Sequence, residues 1–406
     1  MAHGYFVLGN GGAAIHAIKS IRSVGYSGDL HQISDDSGPA FNPMVAPYFL
    51  SEKTSWDTCF PFGDNFIEEH QIIAHHGDKV VSLDADSSTI TTAGGKDFNY
   101  DKCLIATGAH PVMPPIPGLA ESGCALPLRE PETAQNMLES LSTASKVLVL
   151  GASFVGVKLA EVFLKKGIRV VLADIAPQLM PQGAHKNTAH HVERYLRDKG
   201  IDIRLNCSLS KVEAASGAAL CHFPDGSTEK VDFIAVSAGI RPNLEFLDSE
   251  QVKINRAVCT NVYMQTNKSN LYAAGDVCES FDRLSSSQRW MGTWPNACYQ
   301  GRVAGLNMAG VLTRYAGSIP QHVSPIFSWT YMQIGDALRE GSKVRHEEHG
   351  DPFTGPYKII VYDDDTLVGA NLINNAMDLA WIKKEMNEGL GLQSHIPLSL
   401  SPVTPI

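Results

Sequence analysis

Two short apolar runs along the chain are each followed by a glycine-rich turn and then by apolar residues at helical spacing. The first run covers residues 5–8 and the second covers residues 147–150. An unbroken apolar run of this length is typical of a parallel strand that is covered on both faces. The pattern therefore predicts two strand–turn–helix units, with one helix ending near Gly25 and the other at Gly167.

The central unit has the features of a dinucleotide-binding turn. Gly151, Ser153 and Gly156 occupy the three glycine positions of a G-x-G-x-x-G turn at the start of the predicted helix. Unpaired N–H groups and the helix dipole favour a pyrophosphate at such a helix N-terminus. Serine replaces the glycine that allows the closest backbone approach, so we expect a looser site rather than a lost one.

Asp174 follows the second strand of this unit, which is predicted over residues 168–173. Its separation from Gly151 is close to that expected for an acid that binds a ribose. A carboxylate there accepts hydrogen bonds from two ribose hydroxyls and repels a 2′-phosphate. The sequence therefore predicts NADH rather than NADPH as the cofactor of this unit.

The N-terminal unit carries a second turn of the same kind, followed by a helix and a strand over residues 30–34. Its candidate cofactor-binding residues are the turn residues and the acid after the second strand: Gly9, Gly11, Gly12, Ala13, Ala14 and Asp35. Two dinucleotide turns predict two dinucleotides, and a flavin with a nicotinamide is the natural pair for redox chemistry. We therefore expect FAD and NADH as cofactors.

Length and charge restrict the class of protein further. A chain of 406 residues exceeds what one hydrophobic core usually serves, which predicts about two or three domains. No apolar run reaches the length of about 18 residues that would indicate a membrane span. The net charge of −10 argues against nucleic-acid binding and suits basic protein partners.

The cysteines and histidines show no pattern of a metal site. The eight cysteines are dispersed, without a C-x-x-C motif, and are typical of reduced cytoplasmic thiols. His75, His76, His190 and His191 are interpreted as surface residues, because adjacent side chains on a strand or helix point in different directions. No signal peptide is expected, since a predicted strand begins only about four residues from the N-terminus.

Four further motifs follow in order along the chain, at residues 103–118 (CLIATGAHPVMPPIPG), 236–243 (VSAGIRPN), 271–277 (LYAAGDV) and 293–301 (TWPNACYQG). Together with the two turns they resemble the pyridine nucleotide-disulfide oxidoreductase family of flavoprotein reductases. The resemblance implies an α/β fold with two Rossmann-like dinucleotide-binding domains, for FAD and NAD, plus a small α+β C-terminal domain. The implied boundaries are 1–115 with 244–315 for the FAD domain, 116–243 for the NAD domain and 316–406 for the C-terminal domain.

The resemblance also implies further cofactor-binding residues. Thr107 and Gly108 would lie near FAD, Asp276 would hold its ribityl chain, and a helix starting near Trp294 would present its N-terminus to the flavin ring. The set that the resemblance adds is Val80, Ala106, Thr107, Gly108, Gly239, Gly275, Asp276 and Trp294.

The last part of the chain resembles the small C-terminal domain of this family. The segments concerned are residues 315–335, a hairpin within 357–374 that turns around Asp363, Asp364 and Asp365, and a helix over 376–388. Such a domain often forms a dimer interface, and a plain α+β lid is the alternative. Earlier in the chain, residues 182–197 are predicted as the helix that follows the nicotinamide-binding strand.

The position and number of redox-active cysteines distinguish the subclasses of this family. Disulfide reductases of the family carry a C-x-x-x-x-C pair, which this sequence lacks. Single-cysteine members carry a cysteine three residues before the proline of a segment that resembles residues 41–50, and Met44 stands at that position here. A thioether cannot become a thiolate, so we expect no protein thiol in the reaction and no catalytic residue as such. Cys59 or Cys278 in that role is the alternative.

Two departures from the family pattern concern charged residues. Lys158 replaces a glutamate after the nicotinamide-site turn, and Pro47 stands where ferredoxin reductases place a lysine over the flavin. We interpret Lys158 as a solvated helix residue, with an ion pair to Glu161 or Asp174 as the alternative.

The pattern most resembles the ferredoxin, rubredoxin and putidaredoxin reductases and the flavin module of nitrite reductases. It implies an FAD-dependent NADH oxidoreductase that passes electrons to an acceptor protein or partner subunit, in a homodimer or hetero-oligomer. One alternative is reduction of a small acceptor such as oxygen, a quinone or a nitrite-reductase partner. A noncatalytic flavin-bound subunit of a larger complex is the other.

Overall fold

The structure is a computed structural model that describes residues 3–63, 65–215 and 217–389. The helices, in chain order, are α1 (Gly12–Ser23), α2 (Ala46–Leu50), α3 (Phe66–Glu69), α4 (Pro131–Leu141), α5 (Phe154–Lys165), α6 (Lys186–Asp198), α7 (Trp294–Met308) and α8 (Ala376–Gly389), with a 3₁₀ turn at Trp56–Cys59. Among these helices none is both long and apolar enough to cross a bilayer.

The strands, in chain order, are β1 (Tyr5–Leu8), β2 (Leu30–Ser34), β3 (Ile73–His76), β4 (Val80–Asp84), β5 (Thr89–Thr92), β6 (Asp97–Asn99), β7 (Lys102–Ile105), β8 (Ala109–Pro111), β9 (Ala125–Pro127), β10 (Lys146–Leu150), β11 (Arg169–Ala173), β12 (Asp202–Arg204), β13 (Lys211–Ala214), β14 (Ala219–His222), β15 (Thr228–Val231), β16 (Phe233–Val236), β17 (Ile240–Pro242), β18 (Val258–Cys259), β19 (Leu271–Ala273), β20 (Cys278–Asp282), β21 (Ser287–Trp290), β22 (Gln321–Ile326), β23 (Trp329–Gly335), β24 (Val344–His349), β25 (Tyr357–Asp363) and β26 (Thr366–Ile373).

The chain divides into two compact units. The first contains the described residues up to Val45 together with Ser55–His110 and Ile240–Ser318. The second contains Ala46–Thr54, Pro111–Gly239 and the described residues from Ile319 onward. The contacts thus group the segment expected to bind NAD with the C-terminal segment, and the three-domain boundaries stay a prediction.

The first unit is built on a parallel sheet in the order β19-β7-β1-β2-β3. The central strand β1 pairs with β2 through Tyr5 and Leu30, and with β7 through Tyr5 and Lys102. Its apolar residues Phe6, Val7 and Leu8 have no exposed surface, as expected for a strand covered on both faces. A small antiparallel sheet, β4-β5-β6, belongs to the same unit.

The second unit contains another parallel sheet, in the order β12-β11-β10-β16-β9. Here β10 is the central strand, with Val147 opposite Val170 of β11 and Phe233 of β16. The two parallel sheets with their glycine turns confirm the predicted α/β class with two Rossmann-like folds. The C-terminal part of the unit is an antiparallel sheet in the order β22-β23-β26-β25-β24, followed by α8, which agrees with the predicted hairpin and helix.

Helix α6 differs from its prediction. It begins at Lys186 rather than at residue 182, because His185 is its N-cap and accepts a hydrogen bond from Asn187 N through its ring at 3.3 Å. The segment before it turns instead of continuing the helix, with Met180 in the left-handed region at φ 49°. Side-chain capping by histidine is a weak signal in a sequence, since Ser, Thr, Asp and Asn are the usual caps.

Helices α1 and α7 of the first unit pack at glycine contacts. A Cβ on Gly301 would lie 2.1 Å from the carbonyl oxygen of Ala13, and one on Gly305 would lie 2.3 Å from that of Ala17. No side chain fits in either place, so two glycines one helical turn apart allow the backbones to touch. This contact brings the turn before α1 close to the start of α7.

The replacement Gly301→Ala should therefore destabilise the first unit, although alanine is the better helix former. We expect the overpacked helix contact to lower the free energy of unfolding by about 2 kcal/mol, measured by urea denaturation. Gly355→Ala is the control, because a Cβ there meets nothing within 4 Å and it should leave stability unchanged. Equal stability of the two variants would contradict the close contact.

Candidate functional site

The N-terminal turn has the geometry that a bound pyrophosphate requires. Gly9 has φ 116°, and a Cβ there would lie 2.3 Å from the carbonyl oxygen of Ala106. Gly11 is the N-cap of α1, and a Cβ on it would meet nothing within 4 Å. One side of the turn thus packs against Ala106, directly after β7, and the other side faces open space at the helix N-terminus. An anionic group fits this space.

A polar network beneath this turn was not predicted from the sequence. Gln32 is fully buried in β2 and donates to Gly9 O at 3.0 Å and to Asn10 Oδ1 at 3.1 Å. Its own oxygen lies 3.2 Å from His76 Nε2, so this nitrogen is the donor. Asn10 in turn donates to Gly38 O at 2.9 Å. These bonds orient the turn against the segment that follows β2.

A cavity of about 220 Å³ opens beside the network. Its walls include Asn10, His76, Ser37 and Gly38, with Phe66 of α3 on the apolar side. Asp35 is exposed at the end of β2, next to the segment that lines the cavity. The glycine turn and the cavity together fit part of a dinucleotide such as FAD.

The later motifs of the first unit converge on the same turn. A Cβ on Gly275 would lie 3.0 Å from the Cβ of Ala13, and one on Gly12 would lie 3.1 Å from the indole of Trp294. The main-chain oxygen of Asp276 accepts a hydrogen bond from Trp290 Nε1 at 2.7 Å. Ala13, Gly275 and Trp294 are therefore neighbours, as the predicted flavin site requires.

Thr107 and Gly108 are held by Asn243, a residue not included in the predicted set. Asn243 donates to Thr107 O at 2.7 Å, and Asn243 N donates to Gly108 O at 3.1 Å. Val80 has a different environment, because its side chain is packed in the hydrophobic core of this unit. Only the main chain of Val80 could face a cofactor.

The central turn repeats this geometry in the second unit. Gly151 has φ 109°, and a Cβ there would lie 2.5 Å from Ser237 O. A Cβ on Gly156 would lie 1.9 Å from Gly151 O. Ser153 at the intermediate position is the N-cap of α5 and accepts from Gly156 N at 3.2 Å. The serine thus caps the helix while the two glycines keep the turn compact.

Asp174 lies half-buried after β11 and accepts a hydrogen bond from the turn that follows β10. Its Oδ2 accepts from Ala152 N, and its Oδ1 accepts from Ala176 N at 2.8 Å. Gly239, with φ 107°, follows β16 at the same end of the sheet, and a Cβ on it would meet nothing within 4 Å. A carboxylate next to the pyrophosphate turn fits the ribose of a nicotinamide dinucleotide.

The family model described as pyridine nucleotide-disulphide oxidoreductase matches residues 3–301 of the chain. The chain belongs to the pyridine nucleotide-disulphide oxidoreductase family. This membership confirms the predicted cofactors, FAD and NADH, and the assignment as an oxidoreductase.

Curated relatives of this oxidoreductase cover most of its length. It is 29% identical over 380 residues to the NADH-dependent phenylglyoxylate dehydrogenase subunit epsilon of Aromatoleum evansii, covering 92% of this chain and 89% of the relative. It is 25% identical over 371 residues to the rubredoxin-NAD(+) reductase of Pseudomonas putida, covering 91% and 95% of the two chains. Against the Bacillus subtilis assimilatory nitrate reductase electron transfer subunit, the match is 26% identical and covers 91% of this chain but 47% of the relative.

Solved structures agree on the fold. The structure resembles a chain of the covalent putidaredoxin reductase–putidaredoxin complex with a TM-score of 0.87, at 19% identity, covering 95% of this chain and 93% of the other. A water-forming NADH oxidase from Lactobacillus brevis gives the same TM-score at 21% identity, covering 95% and 91%.

The interpretation of Lys158 as a solvated residue was wrong. Lys158 is 6% exposed, and its Nζ donates to Glu161 Oε2 at 2.8 Å and to Pro325 O at 2.9 Å. Glu161 is 1% exposed and also accepts from Lys165 Nζ and from Phe327 N. Burial would raise the pKa of Glu161, but these donors hold it below its ordinary value. The alternative of a Lys158–Glu161 ion pair is thus the one observed.

The interpretation of His75 and His76 as surface residues is only partly right. Both side chains are half-buried on β3, where His75 Nε2 lies 3.1 Å from His31 Nδ1 and His76 joins the network below the first turn. Burial lowers the pKa of both rings, so they are neutral at pH 7. His190 is exposed, as predicted, and His191 is half-buried.

The cysteine environments do not favour a redox thiol. Burial raises the pKa of Cys59 to about 11 and that of Cys298 to about 12, and it also raises the pKa of Cys278. A thiolate nucleophile needs the opposite shift. Met44 is 47% exposed and offers no ionisable sulfur. These environments support the expectation of a reaction without a protein thiol.

Removing Lys158 should be far more damaging than removing Lys165, although both amines bind Glu161. Lys158→Met leaves a buried carboxylate with one partner fewer, and we expect a loss of about 3 kcal/mol in unfolding free energy. Lys165→Met, whose side chain is 43% exposed, is the matched control and should lose less than about 1 kcal/mol. Urea denaturation measures both, and equal effects would argue against a buried pair.

Proposed function

We propose that this protein takes electrons from NADH through FAD and delivers them to an acceptor protein or partner subunit of ferredoxin or rubredoxin type. The observation that carries the proposal is the presence of two dinucleotide turns, one in each unit, without a thiol suited to redox chemistry. The names of the relatives support it, because they include a rubredoxin-NAD(+) reductase and a rhodocoxin reductase.

The proposed flavin-binding residues belong to the first unit. The turn Gly9, Gly11 and Gly12 with Ala13 and Ala14 would hold the pyrophosphate by main-chain N–H groups at the start of α1. Ala106, Thr107, Gly108, Gly275, Asp276 and Trp294 would orient the ribityl chain and ring, Asp35 the ribose, and Val80 would contribute only main-chain atoms. The FAD domain would then be 1–115 with 244–315.

The proposed nicotinamide site belongs to the second unit. Gly151, Ser153 and Gly156 would hold the pyrophosphate, Asp174 would bind ribose hydroxyls, and Gly239 would allow the cofactor to pass close to the main chain. The NAD domain would be 116–243, with 316–406 as the C-terminal domain. These residues would bind and orient the nicotinamide cofactor. A hydride transfer between stacked rings needs no side-chain acid or base.

FAD, when bound, accepts two electrons as a hydride and releases them one at a time. Each NADH oxidised would therefore reduce two one-electron carriers. The buried cysteines with raised thiol pKa values leave no internal route to a small disulfide. We propose that the electrons pass from the flavin to a second protein rather than to a small molecule.

The acceptor could be a free carrier or a permanent subunit. Two relatives are named as subunits, one of a phenylglyoxylate dehydrogenase and one of an assimilatory nitrate reductase. We propose the cytoplasm as the compartment, since the cysteines of the described residues are all unpaired and one of these relatives is named as NADH-dependent.

Anaerobic titration with NADH tests the proposal, followed by stopped-flow reoxidation with rubredoxin, a [2Fe–2S] ferredoxin, oxygen and a quinone. We expect NADH to bleach the flavin and only the proteins to reoxidise it rapidly. The variant with Ser at Cys59, Cys278 and Cys298 should keep both rates within a few-fold. Failure of NADH to bleach the flavin would leave a noncatalytic subunit, whereas fast reoxidation by a small molecule alone would favour the alternative enzyme.

Asp174 should set the preference for NADH over NADPH. A carboxylate that faces a 2′-phosphate is a like-charge contact worth on the order of several kcal/mol. We expect Asp174→Ala to lower the ratio of kcat/KM for NADH to that for NADPH by at least about tenfold, because it removes both the repulsion of the 2′-phosphate and the acceptor of the NADH ribose hydroxyls. Asp202→Ala, an exposed acid on the next strand, is the control and should leave the ratio unchanged.

A further inference from the structure

One face of helix α5 packs on strand β22 of the C-terminal sheet, within the second unit. Phe154, Lys158 and Glu161 recur at helical spacing and therefore share this face. Lys158 Nζ donates to Pro325 O at 2.9 Å, and Phe327 N donates to Glu161 Oε1 at 2.9 Å. The face thus runs along the strand, with Phe154 at the end of the helix that begins at the dinucleotide turn.

The ring of His322 in β22 lies at this end of the contact. Its centroid is 4.1 Å from that of Phe154, at an interplanar angle of 31°. Phe154 is the first residue of α5 and follows the N-cap Ser153, which stands at the second glycine position of the turn. Val323 points to the other face of the strand and is 51% exposed. His322 is therefore next to the start of the helix at which a pyrophosphate would bind.

The charged groups on this face of α5 are already used in the fold. Lys158 Nζ donates to two oxygens and also lies 5.3 Å from the ring centroid of Tyr48. Glu161 accepts from Lys158, Lys165 and the main chain of Phe327. A ligand at the turn would find neither of these charges free.

His322 differs from its charged neighbours. Its Nε2 is buried and has no hydrogen-bond partner among the residues that the structure describes. Buried polar groups are nearly always hydrogen-bonded, and a buried nitrogen without a partner lowers stability. A ligand that binds at the turn would supply the partner that the free protein lacks.

The charge state of His322 restricts the kind of ligand group. Burial lowers the pKa of His322 to about 4, so the imidazole is neutral at pH 7. One of its nitrogens then donates a hydrogen bond and the other accepts one. A neutral ring offers no charge to a phosphate, whereas it matches a neutral amide, which carries both a donor and an acceptor.

We propose that His322 is a binding residue for the nicotinamide ring of NADH and hydrogen-bonds its carboxamide through Nε2. The inference rests on the proposed function and adds to it a side chain from the C-terminal sheet. The turn would hold the pyrophosphate and Asp174 the adenosine ribose, while the carboxamide is the one neutral amide of the dinucleotide. The bond would fix the rotation of the nicotinamide ring about its link to the ribose.

An unpaired nitrogen in the free protein makes the proposal distinguishable from a structural role. Without ligand, Nε2 is a cost to the folded state, whereas with NADH bound it contributes a hydrogen bond. Removal of the ring nitrogens should therefore weaken binding without weakening the fold. A residue that only stabilised the contact between α5 and β22 would lower stability when it is replaced.

His322→Phe in the FAD-loaded protein tests this, because it keeps an aromatic ring against Phe154 and removes both nitrogens. Titration calorimetry of the oxidised protein measures the Kd of NAD⁺ and of ADP-ribose, which lacks the nicotinamide. We expect the Kd of NAD⁺ to rise about tenfold, as for one lost hydrogen bond, and that of ADP-ribose to stay unchanged. The urea midpoint without nucleotide should be equal to or above that of wild type.

Two further variants accompany this measurement. His322→Gln keeps a nitrogen that can donate and an oxygen that can accept, and it should bind NAD⁺ within about threefold of wild type. His190→Phe is the matched control, since His190 is an exposed histidine of the same unit, and it should leave every value unchanged. The NADH concentration that half-saturates flavin bleaching should rise about tenfold only in His322→Phe.

Equal weakening of NAD⁺ and ADP-ribose binding by His322→Phe would overturn the proposal, because the bonded group would then belong to the ADP-ribose part. A lower urea midpoint with unchanged NAD⁺ affinity would also overturn it and would indicate a structural role. If wild type binds NAD⁺ and is bleached by NADH, but His322→Phe behaves in the same way, the role of His322 is wrong while the proposed function stands. Wild type that neither binds NAD⁺ nor is bleached would overturn the proposed function itself.

Discussion

Main-chain atoms approach each other at glycine positions in both units, and the cofactor sites depend on these contacts. Gly9 lies against Ala106, Gly151 lies against Ser237, and in each case a Cβ would come within 2.5 Å of a carbonyl oxygen. The contacts set the distance between the strand end and the helix N-terminus, so that N–H groups point at open space. Any larger residue would displace the helix and with it the anion site.

The same kind of contact organises the surroundings of the turns. Because α7 packs on α1 through Gly301, the start of α7 and the Gly275–Asp276 motif are brought to the N-terminal turn. In the second unit the buried charges of α5 have a comparable effect, since Glu161 binds both Lys158 and the main chain at Phe327. A buried carboxylate requires all of its donors, so Glu161 links helix α5 to the C-terminal strands.

Charged side chains differ between the interior and the surface of this protein. Buried charges such as Glu161 are paired and keep elements in place, whereas Lys19 of α1 and Arg302 of α7 are exposed to solvent. The net charge of −10 conceals how charge is distributed along the chain, because it is the sum of +6 from residues 1–28 and 283–318 and −16 from the remaining residues.

The sequence by itself determined the two strand–turn–helix units, their order and the acids Asp35 and Asp174, because short apolar runs and glycine spacing are local properties of the chain. The sequence also predicted that no protein thiol takes part in the reaction, because the residue type at position 44 is known without the fold. Only the tertiary structure decided the state of Lys158, whose partner Pro325 is far away in the sequence, and the role of Gln32 and His76 beneath the first turn. The contact between α1 and α7 is likewise a tertiary property, because these distant segments of the chain become neighbours only when Gly301 lets the two helices touch.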